Sequence, residues 1–405
     1  MATSIQDPGP VLPVKGVRLS ATAAGIRYQN RLDLVLIELA PGSTVTGVFT
    51  RNAFCAAPVL VARDHLQKAP GRYLLINTGN ANAGTGEKGQ SDARECCTAV
   101  AALAGVAVDQ VLPFSTGVIG EPLPVDRITA GIPAALANLD ENLWPLAARG
   151  IMTTDTRPKL FSASIEVDGK TVAITGMAKG AGMIKPNMAT MLAFVCTDAA
   201  IDAGLLKKLL DGAVNHSFNR ITVDGDTSTN DCCMLAATGY SGVTIDPGQP
   251  ELVGKFAAAL DRVCTELARS VIRDAEGATK FVTIRIRQGR SSAECLAVAY
   301  AIAESPLVKT ALFASDPNWG RILAAIGRAG LPDLDVGSID VFLGDTPLVE
   351  HGALAEGYTE SRGQQEMDKE DIDITVDLRR GEAAETVWTS DLSLDYVRIN
   401  ADYRS

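Results

Sequence analysis

The stretch KGAGMIKPNMATMLAFVCT, Lys179 to Thr197, has two unlike halves. Lys179 to Asn187 is a loop by composition. Gly180 and Gly182 permit backbone angles that other residues resist, and Pro186 removes a hydrogen-bond donor. Met191 to Val195 is almost wholly apolar and reads as a buried strand. Ala189-Thr190 lies at the junction. Two readings are open there. Thr190 can simply be a buried residue opening a core strand. Alternatively, its hydroxyl can attack the preceding carbonyl if the loop strains that bond. Hydrolysis of the resulting ester would release Thr190 as a new chain start. Its α-amine, with a reference pKa of about 7.7–8, could then serve as base for its own hydroxyl.

The surroundings bound both readings. A chain of 405 residues can hold two or more domains and a large core. Hydrophobic content of 46% with only 5% aromatics suits an Ala- and Leu-rich α/β protein. A net charge of −11 and a pI near 4.9 argue against a nucleic-acid or anionic-membrane surface, whose footprint is basic. The N-terminal sequence shows no charged-then-apolar targeting pattern, and no apolar run is long enough to span a membrane, so a cytoplasmic location is expected. Eight cysteines include the adjacent pairs Cys96-Cys97 and Cys232-Cys233 but no CxxC, which favours reduced core thiols over zinc or redox chemistry. Only His65, His216 and His351 are available, so a His-based triad or metal site has little material.

Along the chain, segments 32–40 and 44–50 read as strands about Pro41-Gly42-Ser43, and 72–77 as a short buried strand. The latter runs into TGNANAGTGEKGQ. Gly84 to Gly89 fits GxGxxG, but it starts seven residues past Asn77, too far for a dinucleotide fingerprint. A helix is expected over 91–104. Ser115-Thr116-Gly117 then follows a short strand. A turn there can aim a hydroxyl and an N–H at one point, as an oxyanion hole requires, although many such turns do nothing. Met152-Thr153-Thr154-Asp155-Thr156 is hydroxyl-rich and can equally be a turn before Pro158. Asp168-Gly169 sits between two alternating runs, a hairpin signal. Gly169-Lys170-Thr171 is not a P-loop, because Ser164 stands where the first glycine belongs. Lys179 enters the central loop either as a solvated lysine or as a partner for a carboxylate.

Helices are expected over 202–218 and 252–274, each with one apolar face. Between them, DGDTSTND (224–231) carries three Asp without the EF-hand spacing and reads as a polar turn. Gly277 suits the C′ cap of the second helix. Glu276 beside it is an anion where the helix dipole disfavours one, which leaves room for a functional role. Past Phe281 the pattern shifts to a strand with one wet face, then helices at 293–304 and from SDPNWGR (315–321). Strands at 338–343 and 372–378 flank an acidic loop, 366–371. A boundary near 280 would divide a unit 1–280 from a smaller α/β unit 281–405.

Taken in order, NTGNANAGTG, STGVIG, MTTDT, AKGAGMIKPNMAT, AEGATK, SDPNWGR and the terminal INADYRS resemble the ornithine acetyltransferase (glutamate N-acetyltransferase) family of arginine biosynthesis. The resemblance implies self-cleavage between Ala189 and Thr190 into chains 1–189 and 190–405, with Thr190 as the acyl-carrying nucleophile. It implies an oxyanion hole from Thr116 and Gly117, and substrate contacts from Thr153, Lys179, Thr190, Glu276, Asn400 and the last residue. That residue is commonly Thr in the family and is Ser405 here. Acetyl would pass from N-acetylornithine to glutamate, with no metal or cofactor, and acetyl-CoA as an additional donor in bifunctional members. The implied fold is an α/β sandwich of stacked sheets between helix layers with a smaller C-terminal α/β domain, and the implied assembly is α2β2. Neither a nucleic acid nor a membrane is an expected partner. The alternatives are an aminopeptidase or amidase of the related self-cleaving fold, with water as acceptor, and a ligand-binding protein without chemistry.

Overall fold

The computed structural model describes residues 3–4, 9–185 and 191–402. Strands Val17–Thr22, Leu34–Leu39, Tyr73–Asn80 and Val111–Val118 form a four-stranded sheet in that order. A five-stranded sheet is ordered Thr44–Phe49, Cys232–Ala237, Leu192–Thr197, Lys170–Lys179, Lys159–Val167. The sheets stack face to face. The strand Leu192–Thr197 meets a core on each face, so both of its alternating sets of side chains are buried. Leu192, Phe194 and Cys196 enter the space between the sheets, together with Val35, Ile37, Leu112 and Phe114. Ala193 and Val195 face the other way, into a core closed by helices Ala203–His216 and Pro250–Arg273. The first sheet turns Leu34, Leu36, Leu75 and Val111 outward against helices Gly86–Ala104 and Val125–Ala137. The result is helix, sheet, sheet, helix, the layering that the family resemblance implies.

A separate core lies within residues 282–387. Its sheet is ordered Ala353–Leu354, Thr346–Glu350, Asp340–Leu343, Asp371–Asp377, Phe281–Gly289, Ala383–Ser390. Val282, Ile284 and Ile286 are buried and Arg285 and Arg287 exposed, as the alternation predicts, whereas Thr283 on the expected wet face is buried. This unit is tied to the first at several points. Arg273 forms a two-pronged pair with Asp371 at 2.6 and 2.7 Å and lies 4.0 Å over the Phe281 ring. Helix Leu394–Ala401 then returns to the sandwich. No single helix among the described residues is long and apolar enough to cross a membrane.

Local differences from the sequence reading have physical causes. The 86–104 helix starts five residues before the expected Ser91. Ser115-Thr116-Gly117 belongs to a strand that runs to Val118 rather than to a turn after it. Pairing with Tyr73–Asn80 continues through those residues, with a register shift at Gly79 and Asn80. The long helix ends at Arg273 with Asp274 as its cap, so Gly277 is not the C′ residue. Gly277 instead takes φ +69° and lets the N-terminus of the terminal helix approach. A Cβ there would sit 2.6 Å from the Tyr396 nitrogen. Part of the expected acidic loop is helical, because Glu360–Met367 forms a short helix. Segment 307–313 is helical too, within Pro306–Phe313.

Phe114 and Phe194 meet edge to face across the two sheets at 5.1 Å. Phe194→Ala should lower the stability of the sandwich by about 3–5 kcal/mol through the cavity left behind. The shift of the urea midpoint measures this.

Candidate active site

Where the stacked sheets end, their polar residues converge on one cavity of about 290 Å³. Thr116 and Gly117 come from the first sheet. Lys179 ends one strand of the second sheet and pairs in register with Leu192, which begins the next. Thr153 and Thr154 follow the helix Trp144–Gly150, Glu276 follows the long helix, and Asn400 sits on the terminal helix. All of them line the same cavity, with Met191 and Asp231. Six residues singled out from sequence, Thr116, Gly117, Thr153, Lys179, Glu276 and Asn400, are thus brought together. Ala189, Thr190 and Ser405 lie outside the described residues. Met191, which follows Thr190 in the chain, is on the cavity wall.

Gly117 has φ +135°, and a Cβ on it would stand 2.3 Å from the carbonyl carbon of Gly79 and 2.5 Å from the nitrogen of Asn80. Only glycine fits, because the opposing atoms are backbone. The two sheets are fastened at this point by Asn230. Its Nδ2 donates to the Ala81 carbonyl at 2.6 Å and the Ser115 carbonyl at 2.9 Å, while Thr229 donates to its Oδ1 at 2.6 Å. Ser115 donates to Asn77 Oδ1 at 2.6 Å, and Asn77 donates to the Asn80 carbonyl at 2.9 Å. The Gly/Asn loop is therefore wired through its side chains. Asn82 accepts from Thr85 at 2.8 Å and donates to the Gly89 carbonyl at 2.9 Å, across the start of the 86–104 helix.

The polar turn 224–231 also acts through hydrogen bonds. Asp224 accepts the N–H groups of Met183 at 2.7 Å and Ile184 at 2.9 Å, and the Tyr396 hydroxyl at 3.1 Å. It thereby holds both the central loop and the terminal helix. The Tyr396 phenol is pushed well above its ordinary range by burial and by the Asp224 carboxylate.

Glu276 is 8% exposed. Its backbone N–H donates to Ala181 at 3.0 Å and its Oε2 accepts from Asn400 at 2.7 Å. Its carboxylate packs on Gly182, where a Cβ would come within 2.3 Å of Oε2. Burial raises the Glu276 carboxyl above the usual carboxylate range, against the lowering effect of its hydrogen bonds with Thr154 and Asn400. Lys179 donates to Thr153 Oγ1 at 3.3 Å. Desolvation lowers its ammonium pKa, and the carboxylates of Asp155, Asp231 and Glu276 partly restore it. One small cavity thus presents a basic and an acidic side chain together, with the strand end at Gly117 beside them.

Sequence reasoning missed four residues here, three behind the cavity wall and Asn230 on it. Asp155, Lys159 and Asp274 form a buried cluster, and Asn230 is the inter-sheet fastener. The Asp of MTTDT was visible as a turn former, but nothing in its spacing tied it to Lys159 and Asp274. Another cavity, of about 220 Å³, shares Gly117, Val118, Thr153 and Thr154 with this one and is also lined by Arg27, Tyr28 and Arg31.

Gly117→Ala should abolish the site geometry by driving the Thr116–Gly117 and Gly79–Asn80 backbones apart. The protein should fold with a lowered Tm and lose the activity under test by at least two orders of magnitude. Asn230→Ala leaves two buried carbonyls without this donor and should cost about 1–3 kcal/mol, read from urea denaturation.

The chain matches the ArgJ family over residues 18–405. It is 55% identical over 400 residues to the arginine biosynthesis bifunctional protein ArgJ of Pseudomonas fluorescens, covering 98% of each chain. It is 57% identical over 394 residues to the protein of the same name from Methylococcus capsulatus, covering 97% of this chain and 96% of that one. Among solved structures it is similar to arginine biosynthesis bifunctional protein ArgJ from Bacillus halodurans. That likeness has 40% identity and a TM-score of 0.50, over 52% of this chain and 99% of the solved one.

Proposed function

The chain belongs to the ArgJ family, and on that premise we propose that it is an acetyltransferase of arginine biosynthesis that moves acetyl from N-acetylornithine to glutamate. The observation that carries this reading is the single cavity in which Thr116, Gly117, Thr153, Lys179, Glu276 and Asn400 meet beside Met191.

The proposed chemistry begins with cleavage between Ala189 and Thr190, which gives chains 1–189 and 190–405 and frees the Thr190 amine. Thr190 Oγ attacks the acetyl carbonyl of N-acetylornithine and its proton passes to that amine. The Thr116 hydroxyl and Gly117 N–H stabilise the oxyanion. The C–N bond breaks, ornithine nitrogen takes the proton, and the acetyl ester stays on Thr190. The glutamate amine then attacks the ester, the Thr190 oxygen regains a proton, and N-acetylglutamate leaves. The solved Bacillus halodurans chain is matched over 99% of its length by just over half of this one. Such a length is what a 190–405 fragment of 405 residues would have, and it supports cleavage.

Lys179 is assigned the substrate α-carboxylate and Glu276 the ornithine side-chain ammonium, with Asn400, Thr153 and Ser405 completing the contacts. Glutamate brings a carboxylate where ornithine brings an ammonium. A carboxyl raised by burial can take up a proton as the ligands exchange and then donate to that carboxylate. Acetyl-CoA is assigned as an additional donor and no cofactor is required. The fragments are assigned to an α2β2 assembly in the cytoplasm, with 1–280 as the catalytic unit and 281–405 as the smaller one.

The test is transfer of labelled acetyl from N-acetylornithine to glutamate at varied concentrations of both. Parallel double-reciprocal lines are expected, along with an acetyl-bearing 190–405 chain when glutamate is omitted. Release of free acetate at the same rate with and without glutamate would instead favour an amidase. Glu276→Gln removes one charged partner. The KM for N-acetylornithine should rise by roughly 10- to 100-fold, with a smaller change for glutamate. Because burial raises the Glu276 carboxyl in the folded chain, its ionised form is a cost above the folded pKa and none below the unfolded one. The same variant should therefore be more stable than the parent at pH 8 and no more stable at pH 4, a sign that Tm values at the two pH values check.

A further inference from the structure

Asp155 is buried directly behind the cavity and binds three groups at once. Its Oδ2 accepts the Thr153 N–H at 2.9 Å, and its Oδ1 accepts the Gly180 N–H at 2.7 Å and the Lys159 ammonium at 2.5 Å. Lys159 is fully enclosed and reaches across to Asp274 at 2.7 Å. Asp274, in turn, accepts the N–H and hydroxyl of Thr156, the former at 3.0 Å. Asp274 lies two residues before Glu276. Three chain segments distant in sequence are thus joined around one lysine, and each carries a residue of the cavity.

Asp155 and Asp274 share Lys159 but not the same neighbours. Asp155 holds the backbone of Thr153 and of Gly180, the residue after Lys179. Asp274 makes no hydrogen bond of this kind to either. We propose that Asp155 is a positioning residue for acetyl transfer: it sets the separation of Thr153 from Lys179 and supplies the negative charge that keeps Lys179 an ammonium facing the substrate carboxylate. Asp274 balances Lys159 and holds Thr156 and Arg157, none of which lines the cavity. This rests on the assignment of Lys179 and Thr153 to substrate given above.

The charge balance supports the geometry. The groups facing Lys179 are Asp155, Asp231 and Glu276, which favour its ammonium, and Lys159, which opposes it. Asp155 is the largest favourable one, against desolvation. The Asp155 carboxyl is held far below its usual range by Lys159 and Lys179 despite burial, so it is ionised at every pH of interest. Removing its charge lowers the Lys179 pKa further. If the ammonium is the form that binds substrate, loss of kcat/KM on the alkaline side must then begin at lower pH.

The experiment compares Asp155→Asn with Asp274→Asn in the acetylornithine-to-glutamate assay across pH 6–10, with Tm measured for each. In Asp155→Asn the alkaline limb of kcat/KM should move down by about one pH unit, and the KM for both amino acids should rise about tenfold or more. In Asp274→Asn the Tm should fall while the alkaline limb stays at the parent position. Equal pH profiles for the two variants would overturn the proposal, leaving Asp155 a structural counterion. Should Asp155→Asn fail to fold, Asp155→Glu decides. It keeps the charge and displaces the carboxylate, so KM should rise at least fivefold with the limb unmoved, and a parental KM would overturn the proposal. Absence of acetyl transfer in the parent itself would contradict the functional assignment rather than the role of Asp155.

Discussion

Two sheets that share one apolar core must also end together. The strand Val111–Val118 buries Leu112 and Phe114 against Phe194 and then exposes Thr116 and Gly117 to the cavity. The strand Leu192–Thr197 is buried on both faces, and Met191 and Leu192 at its start line the cavity at the same rim. The hydrophobic effect fixes the stack without choosing directions, and the rim needs fastening by hydrogen bonds. Asn230, just ahead of the second sheet's strand Cys232–Ala237, provides it by donating to the Ala81 and Ser115 carbonyls on the side of the first. The placement of the chemical groups is a consequence of where the apolar residues of two sheets stop.

Electrostatics then sets what the rim can do. Charges taken out of water persist only when paired, and such pairs contribute more to specific geometry than to net stability in many proteins. Lys159 is completely enclosed and has two carboxylates; Lys179 and Glu276 are less completely matched and open onto the cavity. The difference separates scaffold from site. Shifts in opposite directions, Lys179 downward and Glu276 upward, bring both groups closer to neutrality than their free forms. Desolvation at the cavity is the first cause of both shifts, and groups perturbed in this way cluster at functional sites.

Much of this was legible in the sequence because it is local. The Asp168-Gly169 hairpin, the apolar strand after Thr190 and the amphipathic helices follow from period and turn chemistry. The cavity residues were named from motif order, since each alone had a plain structural reading. The strand through Ser115-Thr116-Gly117 was missed because glycine and hydroxyl residues ordinarily end strands. Here the close approach of Gly79 and Gly117 continues the pairing. The early start of the 86–104 helix was hidden by two glycines, which are poor helix formers. The partnership of Asp155, Lys159 and Asp274 could not be read at all. It spans over a hundred residues, and every member resembles a surface charge until the fold encloses it.

The most direct test of the account is the intact mass of the purified protein under denaturing conditions, beside Thr190→Ala. Two chains with the masses of 1–189 and 190–405, replaced by one full-length chain in the variant, are the expected result. They would establish a free amine on Thr190, the residue that precedes Met191 of the cavity wall in the chain. A single full-length chain in the parent would remove that amine and contradict the account of Thr190 as nucleophile and base.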